Sequence, residues 1–394
     1  MLSFLRSSSI GKNLLILCSA HFVVDFFTGI WPIYKTICGM DLAQAGWIAG
    51  ISGFFGESLQ MIFGYFCDRG YRKQILLVGL LLGSSILWIT MSQGVIFYFI
   101  LLLFVNISSG AFHPAAVGYA GSLTTEHKAK CILCFASGGL LGLACSQMIF
   151  TKMLSIFGGH AITLFIPVFL VGIWMFFHHF PESSTSRNTS LGQMLANFKQ
   201  AQKTLTFLYL IQLCSYSLVL ALVFILPDVL ITKTPHVWLQ MGGGHFCYIL
   251  GGALALPFMG YFCDRYGQKK LILCAISLSL CLFSLLVATP SLGALSGVLL
   301  LFFLGASLNS INPMIVSWGH KVAPHSPSTV SALLMGLAWC FSYLGPLVAG
   351  ILYKNFAKSP EIKTLCCMGI LLIFAFLFTW FAPSQEPVRQ VKRA

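Results

Sequence analysis

Five ionisable side chains sit inside apolar runs of this chain: His21, Asp25, Glu57, His113 and Asp228. A charge at mid-bilayer costs about 2.5–3.5 kcal/mol on insertion scales, so such a group usually faces a protein interior and serves a function there. His21 and Asp25 are four apart and share one helical face. Asp25 lies 13 residues beyond Lys12, roughly 20 Å along a helix and close to the midplane. Glu57 shares a face with Gln60, and Asn106 shares one with His113. Later runs carry Gln212 with Tyr216, and Asn309 with Asn312. Proton exchange is the chemistry these types allow. A carboxyl group withdrawn from water can hold and release a proton, and imidazole titrates near neutral pH. Asp25 and Glu57 are therefore candidate proton carriers, with His21 and His113 as relays or substrate contacts. Gln60, Asn106, Gln212, Tyr216, Asn309 and Asn312 are candidates to line a substrate cavity. The competing reading is a neutral hydrogen-bonded network that pins helices together. His21-x-x-x-Asp25 has the spacing of a metal pair, but two ligands on one helix are too few to argue for an ion, and no metal is expected. Asp228 follows Pro227 near the end of its run and reads as a solvated rim residue.

The elements that position these groups follow from composition. Of the 394 residues, 57% are hydrophobic and 8% are charged, against about 25% charged in soluble domains. Runs of roughly 20 apolar residues succeed one another, each long enough to cross a bilayer core. They do not alternate as barrel strands do. The fold class is an all-α polytopic membrane protein. Twelve spans are predicted, near 13–36, 44–66, 74–92, 95–119, 130–154, 160–180, 205–231, 237–262, 271–289, 293–318, 328–353 and 362–381. The first carries His21 and Asp25, lacks a small-residue cleavage site, and is expected to stay as a transmembrane helix. The net charge is +13. Six basic residues (Lys35, Lys152, Lys233, Lys354, Lys358, Lys363) fall on one side, and the other 17 of the 23 fall on the N-terminal side. By the positive-inside rule both termini face the cytoplasm, so the charge reports topology and nucleic acid is not an expected partner. The 14 cysteines lie mostly within apolar runs as small hydrophobes.

The chain contains one hexapeptide twice. Gly64-Tyr65-Phe66-Cys67-Asp68-Arg69 returns as Gly260-Tyr261-Phe262-Cys263-Asp264-Arg265, an offset of 196 in 394 residues. Arg72 and Lys73 follow the first copy, and Lys269 and Lys270 the second. The repeat implies two six-helix bundles related by a pseudo-twofold axis: 1–180, a cytoplasmic linker 181–204, and 205–394 with a short basic tail. It marks Gly64, Asp68, Arg69, Arg72, Gly260, Asp264 and Arg265 as a candidate conformational gate. The Asp would accept from a neighbouring helix N-terminus and the Arg would pair with it or with a carbonyl. A simple topogenic charge cluster is the alternative. Phe112-His113-Pro114 and Ile311-Asn312-Pro313, at offset 199, place a helix-bending proline in corresponding spans. Small residues Ser137, Gly138, Gly139 and Gly142, and later Gly336, Gly345 and Gly350, allow helices to approach closely.

The turn Gly-x-x-x-Asp-Arg-x-x-Arg/Gln-Lys closely resembles the signature between helices 2 and 3 of the major facilitator superfamily. The chain further resembles the fosmidomycin-resistance branch of that superfamily. The matching pieces are His21-x-x-x-Asp25 with Pro32, Ser58-Leu59-Gln60 before Gly64-Tyr65-x-x-Asp68, the Phe112-His113-Pro114 triplet, and the stretch opening at Ser331. Glu57 stands where these relatives carry a small residue, and the Gly-Pro pair of antiporter helix 5 sits in helix 11 instead. The resemblance implies proton-driven export of small molecules, drug or phosphonate-type, from the inner (plasma) membrane of a bacterium.

These readings converge on a secondary transporter working by alternating access, with a proton-coupled metabolite importer as the main rival and a transport-inactive receptor or scaffold as the outside one. No enzyme motif is present, and no nucleotide-binding loop. An ion gradient, with protons preferred, is the expected energy source, and no cofactor is expected. Partners are a small-molecule substrate and the lipid bilayer, and a monomer is expected.

Overall fold

The computed structural model describes residues 8–91, 93–123, 128–158, 160, 165–178, 191–323 and 330–383. Among them twelve spans are helical. Helix α1 is Ser8–Thr28, continued after Gly29 by Ile30–Ile37. Helix α2 is Leu42–Ser58 with Gln60–Phe66, and α3 is Arg72–Gly83 followed by a tighter turn Ser84–Trp88. Helices α4, α5 and α6 are Val95–Ser122, Lys128–Ile156 and Phe165–Phe177. Helix α7 is Leu191–Lys233, α8 is Gly244–Tyr266 and α9 is Gln268–Ala288. Helix α10 is Ala294–Leu308 and Ile311–Val322. Helix α11 is Ala332–Leu337, Ala338–Ser342 and Leu344–Asn355, and α12 is Pro360–Phe381. Eight spans are by themselves long and apolar enough to cross a membrane, the exceptions being α2, α3, α6 and α8.

The packing has the predicted internal symmetry. In the first half α1 lies against α5, α2 against α4, and α3 against α4 and α6. In the second half α7 lies against α11, α8 against α10, and α9 against α10 and α12. Between halves α2 meets α11, α8 meets α5, and α1 meets α7. The close approaches occur where glycine was expected to permit them. A Cβ at Gly142 of α5 would run into the backbone of Phe22, and one at Gly350 of α11 into the backbone of Leu42.

Two differences from the sequence reading have simple causes. Helix α7 begins at Leu191, not 205, so the second half of the predicted linker is helical. Residues 191–204 contain no proline and are rich in Leu, Gln, Ala and Lys, all good helix formers. The first half of that linker and the basic tail lie outside the described residues. Proline also acts unequally at the two corresponding positions. Pro114 sits inside an unbroken helix, whereas α10 breaks at Asn309-Ser310. Asn309 is the residue whose carbonyl the Pro313 ring displaces.

The repeated turns end in a positive-φ glycine, Gly70 (φ +94°) and Gly267 (φ +86°), a conformation that a Cβ would strain. The lysine just beyond each has a defined partner. Lys73 Nζ donates to the carbonyls of Phe176 (2.7 Å) and His178 (3.0 Å) at the end of α6. Lys269 Nζ donates to those of Trp380 (2.9 Å) and Ala382 (2.5 Å) at the end of α12. A helix end leaves carbonyls without intrahelical partners, and a cation there is also favoured by the dipole. We predict that Lys73→Met and Lys269→Met each lower stability by about 1–2 kcal/mol, the value for charged hydrogen bonds at a partly wet site. Thermal unfolding in a single detergent measures it, and equal losses in the two variants are expected from the symmetry.

Candidate functional site

Both halves contribute to one cavity of about 230 Å³. Of the sequence candidates, Asp25, Glu57, Asn106, His113, Tyr216, Asn309 and Asn312 line it. They come from α1, α2, α4, α7 and α10, the five helices expected, and α5, α8 and α11 add further walls. Three candidates lie elsewhere. His21 sits behind Asp25, buried and stacked on Phe135 with centroids 4.0 Å apart. Gln212 is buried in α7 one turn before Tyr216, which takes the cavity face instead. The amide oxygen of Gln60 is beside Gly336 of α11. Sequence reasoning missed Trp31, Trp339 and Tyr343, which also line the cavity. An aromatic residue in an apolar run carries no sign of whether it faces lipid or cavity.

The densest constellation is His21, Asp25 and His113. His21 Nδ1 lies 2.8 Å from the carbonyl of Phe135, and His113 Nδ1 lies 2.8 Å from that of Ser109. A carbonyl only accepts, so each ring donates through Nδ1–H. In neutral imidazole the other nitrogen is then a lone pair. Those two Nε2 atoms face each other at 3.2 Å. Asp25 completes the group, with Oδ2 3.2 Å from His21 Nε2 and Oδ1 3.5 Å from His113 Nε2. Three acceptors thus converge on one point, and a single added proton on either ring supplies the missing donor. Gly139 of α5 closes the back of the cluster, where a Cβ would run into His21 Nε2 and Asp25 Oδ2. The same three residues could hold a metal ion, since their ligand atoms lie within 4.8 Å of one another. The sequence offered two of these ligands, and the fold brings the third from α4. Glu57 lies within electrostatic reach of both His113 and Asp25.

The two bundles are tied together at the end of the cavity remote from the repeated turns. There Lys35 of α1, fully buried, donates to Asp228 of α7 and to Thr36 Oγ1 (2.9 Å). Thr36 Oγ1 donates to the other Asp228 oxygen at 3.0 Å, and Lys35 Nζ lies 4.7 Å from the Phe224 ring centroid. This corrects two expectations. Asp228 is half of a partly buried ion pair and not a solvated rim residue, and Lys35, counted among the charges of one membrane side, is fully buried. The cause is that the second segment of α1 carries Lys35 into the interface with α7, where only an opposite charge makes its burial tolerable. Lys233, also read as a loop cation, is buried with its amine on the carbonyls of Val287 (3.2 Å) and Thr289 (2.6 Å). Further out, Lys354 of α11 pairs with Asp41 at 3.1 Å. The backbone N–H of Gln44, and then Lys354, hold the Asp41 carboxyl below its ordinary range. Thr151 Oγ1 donates to the carbonyl of Met241 (3.1 Å), and His245 Nε2 to that of Leu143 (2.8 Å). Among the described residues, the cross-bundle ion pairs and hydrogen bonds lie at the level of the cavity or beyond it towards this end.

At the opposite end, Gly64 passes Pro114 of α4, and the Arg72 guanidinium lies against Gly118 and 5.8 Å from the Tyr119 ring centroid. Arg69 sits over Tyr65 (4.5 Å), and Arg265 over Tyr266 (5.4 Å) with Nη1 3.5 Å from the Tyr261 hydroxyl. Gly260 is within α8. The side chains of Asp68 and Asp264 lie outside the described residues, and with them the expected Asp lock.

A family model described as Major Facilitator Superfamily matches residues 14–342 and again 208–394. The chain belongs to the major facilitator superfamily. The overlapping matches agree with the internal repeat. The chain is 25% identical over 401 residues to an uncharacterised transporter of the same type, YfnC of Bacillus subtilis, covering 96% of this chain and 94% of that one. Among solved structures it is similar to a mutant form of the nucleoside transporter NupG (TM-score 0.72, 16% identity, 94% and 98% coverage). It is also similar to a bacterial homologue of the human lysosomal transporter Spinster in an inward-facing, unoccupied conformation (TM-score 0.72, 15% identity, 96% and 97% coverage). This superfamily member is a multi-pass membrane transporter, not an enzyme.

The Lys35–Asp228 pair yields a double-mutant cycle. Lys35→Met strands the Asp228 carboxylate and is predicted to cost about 3–5 kcal/mol. Adding Asp228→Asn should recover most of that loss. Thermal unfolding of the four forms measures the coupling.

Proposed function

We propose that this protein is a proton-coupled exporter that moves a small molecule by alternating access. Three converging acceptors, His21 Nε2, His113 Nε2 and an Asp25 oxygen, carry the reading. They form a site that one proton completes, on the wall of a cavity shared by both bundles. The cluster joins α1 to α4, so gain or loss of that proton alters a contact between helices that line the cavity. The Phe112-His113-Pro114 triplet and the His21-x-x-x-Asp25 pattern support membership of the fosmidomycin-resistance branch, and that likeness bears on drive and direction. The distribution of Lys and Arg supports cytoplasmic termini in a bacterial inner membrane. With that orientation the Lys35–Asp228 end is extracellular, and the conformation is closed to the outside. Gly64, Arg69, Arg72, Gly260 and Arg265, with Asp68 and Asp264, act as the cytoplasmic gate of the alternate state.

Proteoliposomes with an imposed pH gradient test the coupling. Uphill movement of a transported compound, opposite in direction to the proton flux, is expected for the wild type. Asp25→Asn should lower the gradient-driven component by at least about tenfold, because it removes the carboxylate that holds the added proton in the cluster. Downhill exchange of labelled for unlabelled compound should persist in that variant. Accumulation in the same direction as the protons would make the protein an importer. Drive by sodium with no response to an uncoupler would remove the proton from the scheme.

A further inference from the structure

The lining of the cavity has a charge pattern that bears on its ligand, given the reading of it as a transport site. Two carboxylates, Asp25 and Glu57, line it, and no Lys or Arg does among the described residues. The buried cation beyond it, Lys35, is held by Asp228 and Thr36. An anion entering here would give up water and meet two carboxylates, and the lining group that can turn cationic, His113, is already engaged by Asp25. The two acids differ in their surroundings. Asp25 is engaged by two imidazoles. Glu57 is 2% exposed, yet its Oε2 has no hydrogen-bond partner among the described residues. A buried carboxylate oxygen without a donor is costly, and Glu57 is one of the residues that line the cavity.

Beside Glu57 the wall is aromatic. Tyr216 of α7 and Trp339 of α11 stack at 4.9 Å with planes 19° apart. Trp339 Nε1 is also without a partner. Tyr216 and Tyr343 lie within electrostatic reach of the Glu57 carboxylate. Trp31 lines the same space. Aromatic faces are electron-rich and attract cations, most strongly when water is excluded.

We infer that the cavity takes a small organic cation bearing a flat apolar group, with the cationic head at Glu57 and the flat part against Tyr216 and Trp339. Glu57 then recognises the ligand, while Asp25 with its two histidines serves the proton. The assignment separates two acids that occupy one cavity and follows from which of them the protein itself already satisfies.

A charge series on one scaffold tests this with the purified full-length protein. Benzylammonium, benzyl alcohol and benzylphosphonate carry positive, neutral and negative heads on the same ring. Binding is followed by calorimetry and by tryptophan fluorescence, without any gradient. The cation should bind most tightly and the phosphonate least. Glu57→Gln should weaken the cation by at least about tenfold, the factor for losing one charged hydrogen bond, and change the alcohol by less than about twofold. Trp339→Leu should weaken both. Glu57→Asp, which keeps the charge, guards against a Gln variant that does not fold, and it should retain the preference for the cation over the alcohol. The inference is overturned if the phosphonate binds as tightly as the cation, if Glu57→Gln leaves cation affinity unchanged, if the alcohol matches the cation, or if none of the three binds. These outcomes are read at equilibrium, so their failure leaves the Asp25 coupling test standing. Loss of gradient-driven flux in that test leaves the binding order untouched.

Discussion

In a bilayer there is no water to complete a helix end or to solvate a charge, and this single constraint organises the molecule. Four lysines of this chain are placed against it. Lys73 and Lys269 close the carbonyl ends of α6 and α12, and Lys233 closes that of α9. Each supplies donors to carbonyls that their own helices leave unpaired. Lys35 meets the same constraint differently, by pairing with a carboxylate from the other bundle. A cation that ends a helix within its own bundle stabilises that bundle whatever the other does. A cation paired across the interface is satisfied only while the bundles meet there. The difference between Lys233 and Lys35, which end corresponding helices, is therefore a difference between structure and conformation.

The same logic separates the two acids of the cavity. Asp25 is surrounded by groups whose hydrogen-bonding roles are set from behind, by the carbonyls of Phe135 and Ser109. Those carbonyls fix Nδ1–H on both rings, so a neutral ring turns a lone pair to the carboxylate and a protonated ring turns a donor to it. Gly139 of α5 packs directly against His21 and Asp25, where any side chain would collide with them. The Oε2 of Glu57, by contrast, has no hydrogen-bond partner among the described residues. This contrast is the ground on which the proton is proposed for one acid and the ligand for the other.

The interface between bundles is uneven along its length. Its ion pairs and backbone contacts gather between the cavity and the Lys35 end, where glycines of α2 and α11 let the chains touch. The repeated turns at the other end are occupied with their own bundle, Arg72 with α4 and Arg69 and Arg265 with nearby tyrosines. A transporter of two similar halves works by exchanging which end is tied, and residues that tie one end need not resemble those that tie the other.

Much of this was legible in the sequence. Eight of the twelve spans follow from apolar length alone, because a helix crossing a bilayer must be apolar over about 20 residues. The two halves follow from an identical hexapeptide, and the helices that line the cavity follow from polar residues that lipid would not tolerate. What a helix's own periodicity cannot supply is its partner. His21 and Asp25 share a face by spacing alone, but His113 joins them only because α4 crosses α1 at that height. Asp228 reads as a rim residue until α1 is placed beside it. Lys35, Lys73, Lys233 and Lys269 look like topology signals until the carbonyls and the carboxylate they meet are known. Spacing along one helix is local and was determined by the sequence by itself. Which buried charge finds which partner depends on contacts between residues up to 193 apart, and only the tertiary structure decided it.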